Sequence, residues 1–427
     1  MTADQISIVP ADMAQILVTP AAYADERLHD TYKWLRANMP LGQARPEGFT
    51  PFWVVSKHAD ILEVSRQNAL FSNCARPSTL MTLGDEERVK SFNDGEPLIR
   101  SLVDMDAPDH MKYRTLTQRW FMPAQLKKME EGIRATAAEV VDKMASLGDR
   151  CDFVEQVALG YPLHVVMGIL GVPEEDEPRM LKLTQDLFSS QDRDVSAEMA
   201  ALTPEQMGVA FRMIMADYTQ YFEAISAARR ITPANDLATV IANATIDGKP
   251  IPIREATSYY IIAATAGHDT TSSSTAAAMW ALAENPDLLA QVKADPSLIP
   301  ALVDEAIRWI TPVKTFMRTA TQDTELRGQK IAKGDWLMLC YASGNRDEEV
   351  FDQPFEFRLD RQPNKQLAFG YGAHMCLGQH LAKMEMRLLF EALLPRLKSV
   401  KLDGVGKLSH SCFVSGPKTV PIQFEMT

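Results

Sequence analysis

The 427-residue chain holds five cysteines, Cys74, Cys151, Cys340, Cys376 and Cys412, and no two are close together. Without a Cys-x-x-Cys pair, zinc ribbons and dithiol redox centres are excluded, and no disulfide framework is expected. The scatter suits a reducing cytosol. The sequence has no Lys/Arg-rich run and carries a net charge of −12, which argues against a general nucleic-acid binder. The start, Met-Thr-Ala-Asp-Gln, lacks the basic-then-apolar pattern of a secretory signal. The longest apolar stretches, near Tyr259–Gly267 and Trp336–Ala342, are too short to span a bilayer. No membrane association is expected, and the chain reads as cytoplasmic. Flavin and nicotinamide fingerprints are missing, as are repeats and low-complexity tracts.

What is present is apolar material, 46% of the residues, enough for a large core. The periodicity is mostly helical. Helices are expected at Tyr32–Met39, at His58–Asn68, over Pro108–Phe121 with Asp106 as a possible N-cap, again after the interruption at Pro123 to about Met144, and over Phe153–Leu170, Glu174–Ser189 and Pro204–Arg230. The longest pattern, Arg254–Glu284, stops at Asn285-Pro286. Phe52–Ser56 and segments between Thr315 and Ala342 read as strands, and 399–427 as strands and turns. Residues 72–104 lack clear periodicity, and Ser190–Thr203 is polar. The expected architecture is mainly α with small β-sheets, in one helix-dominated domain.

Within this frame Phe369–Gly378 reads Phe-Gly-Tyr-Gly-Ala-His-Met-Cys-Leu-Gly. Leu377, Leu381, Met384 and Leu388 then recur at helical spacing. Cys376 is therefore expected at a helix N-terminus, where free N–H groups and the dipole favour a thiolate. A lone cysteine is more often a buried core residue, but the whole string resembles the haem-binding loop of the bacterial cytochrome P-450 family, the haem-thiolate monooxygenases. The resemblance implies that fold, with haem b between the long helix and the cysteine helix, and Cys376 as the axial metal ligand.

A second string, Ala266-Gly267-His268-Asp269-Thr270-Thr271, lies inside the long helical pattern. Glycine and paired threonines weaken a helix interior. The Thr270 hydroxyl can bond back to the carbonyl of Ala266 and distort the helix. Ile262, Ala266 and Thr270 share one face, which leaves room for a small ligand. A tight helix–helix contact explains the small residues equally well. The string resembles the family's oxygen-binding motif, which implies that Asp269 and Thr270 deliver protons to dioxygen. His268 stands at a variable position of that motif and is expected to point away from the haem.

Glu305 and Arg308 form an i, i+3 pair, an arrangement common on exposed helices. Here it resembles the family's Glu-x-x-Arg pair, which closes with an upstream arginine, Arg361 in Phe-Arg-Leu-Asp-Arg, to hold the cysteine loop. The family usually has Asp where this chain has Arg358. By the same resemblance His110, Arg114, Arg318 and His374 hold the haem propionates. Ile262, Ala266, Phe316 and Phe413 are expected to line a mostly apolar pocket.

The likeness runs from about Tyr23 to the C-terminus. It is strongest to the α-terpineol-hydroxylating branch, in Met105–His110, Leu163–Val166 and Ala264–Ser274. It implies insertion of one oxygen atom of dioxygen into a small hydrophobic substrate, a terpenoid or aromatic hydrocarbon. It also implies electrons from a separate ferredoxin and ferredoxin reductase, with Arg119, Lys127 and Lys128 as candidate contacts. A peroxide-driven peroxygenase would not need the Asp269–Thr270 relay, and a haem gas sensor would usually carry an output module.

Overall fold

The computed structural model describes residues 6–91, 99–188, 192 and 197–427. Its axis is the helix Ile253–Glu284, 32 residues and so about 48 Å at 1.5 Å per residue. Asn285 ends it, as expected, and caps the next helix by accepting from the N–H groups of Asp287 and Leu288. The helices Gly160–Leu170, Ile299–Ile310 and Pro204–Ile231 pack against the axis. The helix Gln379–Leu393 lies against Ile299–Ile310 and Pro123–Ser146.

A five-stranded sheet flanks the helices in the order Leu41–Ala44, Phe52–Val55, Trp336–Cys340, Thr315–Ala320, Phe71–Ser72. Phe52–Val55 and Trp336–Cys340 pair in parallel, and the other pairings are antiparallel. Both central strands are continuously apolar because both faces are covered. Phe52, Val54, Trp336 and Met338 pack into one apolar cluster, and Trp53, Val55, Leu337 and Leu339 into another. Arg318, on the neighbouring strand, is thereby placed opposite Leu337.

Several expectations are corrected. The first long helix begins at Glu26, not Tyr32, because Asp25 caps it by accepting from the Arg27 N–H. The aperiodic stretch 72–104 contains a helix, Leu83–Ser91; its amphipathicity is too weak to read. Asp106 does not cap the helix Asp109–Thr117 with its side chain. Its carboxylate instead accepts from the Ser72 hydroxyl and the Asn73 N–H, pinning a distant loop. Phe153–Leu170 is not one helix: a π-turn over Val154–Ala158 precedes Gly160–Leu170. Within Ser190–Thr203 there is a short helix, Ala197–Ala200; residues 190, 191 and 193–196 lie outside the described residues.

Candidate functional site

The cysteine loop is built by tight turns. The Gly370 N–H donates to Leu367 O (2.8 Å), and the Cys376 N–H donates to Phe369 O (2.8 Å). Gly370 and Gly372 have φ of +67° and +75°, values that disfavour any side chain. At Gly372 a Cβ would also lie 2.4 Å from the Ser65 carbonyl oxygen. Gly378 is different. Its φ is −86°, and a Cβ there would meet nothing within 4 Å. Neither backbone nor packing within the chain requires glycine at this position, beside the helix start.

That open space belongs to a cavity of about 1320 Å³. It brings together the residues that the sequence assigned to cofactor, proton delivery and substrate. Cys376, His374, His110, Arg114 and Arg318 line it, as do Asp269, Thr270, Ile262, Ala266, Phe316 and Phe413. The Phe316 and Phe413 rings meet edge to face at 5.2 Å. Across from the cysteine loop, Thr270 Oγ1 donates to Ala266 O at 2.9 Å, the back-bond expected from the sequence. Gly267 serves the alternative reading at the same time: a Cβ there would lie 3.0 Å from Val166 Cγ2. The small residues thus do two jobs, Ala266 opening the cavity and Gly267 admitting the neighbouring helix.

Burial pushes the Cys376 thiol up, while the N–H groups of Gly378 and Gln379 and the charge of Arg114 favour the anion, as the helix start predicts. The side chain is open, yet to an internal cavity and not to bulk water. A bound metal cation reverses this balance, since coordination deprotonates a thiol.

Among the described residues His110, Arg114, Arg318 and His374 form no ion pair with a carboxylate, unlike Arg76 on the same cavity, which pairs with Glu86. The His110 and His374 rings lie 4.1 Å apart, and neither Nε2 has a hydrogen-bond partner. Burial, His110 and Arg318 hold His374 down at about 3. Burial and Arg114 lower His110. Arg114 donates to Met375 O at 2.8 Å, and Arg318 to Met317 O at 2.7 Å and to the Tyr341 side chain; among the described residues neither pairs with a carboxylate. Orphaned buried donors beside guanidinium groups fit a dianionic ligand. The carboxylates of a flat cofactor held by Cys376 would meet these requirements.

The loop is held from behind by a buried carboxylate. Glu305 and Arg308 are each fully buried and paired side on, with bonds of 2.6 and 2.7 Å. Glu305 also accepts from Arg361 Nε (3.0 Å), Asn364 Nδ2 (3.1 Å) and the Arg358 main-chain N–H (2.9 Å). Because the Arg358 contact is made by backbone, the unusual side chain there does not disturb it. The sequence reading missed Asn345. Its carbonyl accepts from Arg308 (2.8 Å), and its side-chain oxygen accepts from the Leu367 N–H (2.6 Å). It links the ion pair to the residue that begins the cysteine loop. Nothing in a lone asparagine signals such a role.

The comparisons with known proteins agree with this geometry. The Cytochrome P450 family model matches residues 82–424, and the chain belongs to that family. It is 48% identical to Cytochrome P450-terp of a Pseudomonas species, over 99% of both chains. It is 31% identical to linalool 8-monooxygenase of Pseudomonas putida, over 95% of this chain and 98% of the relative. The crystal structure of CYP108D1 from Novosphingobium aromaticivorans superposes with a TM-score of 0.91 at 46% identity, covering 99% of this chain and 100% of that one. The chain is therefore an oxidoreductase of the P450 monooxygenase class, whose cofactor is haem b bound through a cysteine thiolate. Among the described residues no helix is long and apolar enough to cross a membrane.

Proposed function

We propose that this P450 hydroxylates a small hydrophobic molecule, a terpenoid or aromatic hydrocarbon. Electrons come from a separate ferredoxin and its reductase, in the cytoplasm. The observation that carries this reading is one cavity with Cys376 on one wall and Asp269–Thr270 on another, closed by Ile262, Ala266, Phe316 and Phe413. A mostly apolar wall selects apolar ligands by burying their surface. The names of two relatives, Cytochrome P450-terp and linalool 8-monooxygenase, support a terpenoid.

Cys376 would hold the haem iron, and His110, Arg114, Arg318 and His374 its two propionates. Haem bound there supplies the oxidising chemistry, with thiolate donation favouring O–O cleavage. The chain's own residues then do four things. The aromatic wall orients the hydrocarbon and excludes water. Thr270 offers a hydroxyl to the cavity and otherwise donates its hydrogen bond to the Ala266 carbonyl. Asp269 places a carboxyl group at the cavity edge, where it can relay protons. Glu305, Arg308 and Arg361 keep the cysteine loop in place. Arg119, Lys127 and Lys128 are exposed on the segment Gln118–Ser146, where an acidic ferredoxin could meet them. Lys127 already pairs with Glu130 at 2.9 Å, which weakens its claim.

A spin-state titration tests the substrate class. Monoterpenes and small aromatics should convert the haem from low to high spin, and polar compounds of equal size should not. The opposite pattern removes the proposal.

A further inference from the structure

His268 is fully buried and takes no part in the functions described so far. Its Nε2 lies 3.1 Å from the main-chain oxygen of Leu159. Its Nδ1 lies 2.9 Å from Asp269 Oδ1, off the line of an ideal hydrogen bond. Asp269 lines the cavity. Among the described residues no lysine or arginine is paired with Asp269, and His268 is its basic neighbour.

Leu159 joins the two helical pieces: its N–H closes the π-turn by donating to Val154 O at 2.9 Å, and it is the N-cap of the helix Gly160–Leu170. Its carbonyl has a second lone pair beyond the one the helix uses, and there it meets a histidine on the adjacent helix.

Proton counting follows from the contacts. A carbonyl oxygen only accepts, so Nε2 must carry a hydrogen. A neutral imidazole has one N–H, which leaves Nδ1 bare. A bare nitrogen and an ionised carboxylate oxygen at 2.9 Å present two lone pairs to each other. One more proton relieves this, whether it rests on nitrogen or on oxygen, and it belongs to the pair.

We propose that His268 is a positioning residue for Asp269, and that the two share one proton held at the cavity wall beside Thr270. The Leu159 carbonyl sets the tautomer, the tautomer sets the proton count, and the shared proton is delivered through the Asp269 carboxyl. Each proton that leaves for a cavity water is replaced by one from solvent, so the pair relays without net consumption. The other titratable group whose environment Asp269 marks is Tyr218, whose hydroxyl is pushed up by burial and by the carboxylate charge and lies 3.3 Å from Thr184 Oγ1. The inference rests on the monooxygenase reading for its consequence, but its structural half can be read separately.

Two measurements decide it. The first is nitrogen-15 NMR of histidine-labelled holoenzyme in the diamagnetic ferrous carbonyl state, with His268 assigned by its loss in His268→Gln. A protonated Nε2 in slow exchange with solvent is expected. A neutral ring protonated on Nδ1 overturns the proposal, whatever the enzyme's reaction. The second compares His268→Gln, which keeps a donor near Leu159, and His268→Phe, which keeps only shape. The hydrocarbon is the one giving the largest spin shift, and a surrogate ferredoxin system supplies electrons. Both variants should keep the wild-type carbonyl spectrum while peroxide release per oxygen consumed rises about 5-fold, the equivalent of one ordinary hydrogen bond, and the solvent isotope effect on turnover changes. Wild-type coupling and isotope effect in a well-folded variant overturn it. If the Phe variant fails to fold, the Gln variant alone decides.

Discussion

The imidazoles of His110 and His374 come from a helix and a loop 264 positions apart in the chain, yet their rings lie 4.1 Å from each other with both Nε2 atoms unpartnered. Two imidazole rings tilted together at 36°, each with a buried unpartnered nitrogen, are a poor arrangement on their own. A bound propionate would accept from both. Replacing both by Ala should weaken haem retention by about 1.5–3 kcal/mol per lost charged hydrogen bond, so tenfold or more in the rate of haem transfer to apomyoglobin. Unchanged transfer kinetics would detach these residues from the propionates.

Glu305 carries five contacts in a site with no water access. Removing one partner of such a buried pair costs about 3–5 kcal/mol. Glu305→Gln and Arg308→Lys should both yield protein that loses haem or fails to fold, since an ammonium cannot replace the flat guanidinium fork. Arg358→Ala should leave the unfolding midpoint nearly unchanged, because its side chain meets only the exposed Asp352 and Asp360 and the Gln353 amide, and its main-chain N–H is retained. Thermal unfolding followed by haem absorbance separates these cases.

Lys314 is buried and donates to Ile310 O at 2.5 Å. Burial, with help from the Arg346 charge, lowers its ammonium to about 7 from an ordinary 10.5. Below pH 7 both folded and unfolded chains carry the proton, and the cost of burying the charge is constant. Between about 7 and 10.5 the unfolded chain binds a proton that the folded one does not. Stability therefore rises with pH across that window, by at most about 1.4 kcal/mol per unit. Lys314→Met removes this rise. The stability difference, wild type minus variant, should grow by about 2 kcal/mol from pH 7 to 9; a flat difference contradicts the assignment.

Thr270→Ala should leave substrate binding nearly intact and divert oxygen into peroxide, since the hydroxyl that can serve the cavity is gone while the helix keeps its shape. Asp269→Asn should slow turnover on the order of 100-fold, the lower range for loss of a general acid. Product formed per oxygen consumed is the quantity to measure. Full coupling in Thr270→Ala would remove that residue from proton delivery.

Much of the site was legible because it is encoded in short strings. Gly370, Gly372 and Cys376 are constrained by backbone conformation, and the Ala266–Thr270 back-bond follows from helical spacing. The long helix announced its end through Asn285-Pro286. What could not be read depends on partners distant in sequence. Asp106 looks like a cap locally, yet spends its carboxylate on Ser72 and Asn73. Asn345 gains meaning only beside Arg308 and Leu367. The π-turn at Val154–Ala158 has helical residues throughout, and its one signal lies outside it: Pro162, which has no N–H for the Ala158 carbonyl four residues back. The helix-start N–H groups that favour the Cys376 anion were visible in sequence, but the depth of its cavity, which opposes them, was not.

The central claim is the bond from the Cys376 sulfur to haem iron. Absorption of the purified protein, reduced under carbon monoxide, tests it most directly. The wild type should give the strongly red-shifted Soret band of thiolate ligation, and Cys376→His should lose it while retaining haem. A folded, haem-loaded wild type without that band, or a Cys376→His variant that keeps it, would contradict the assignment.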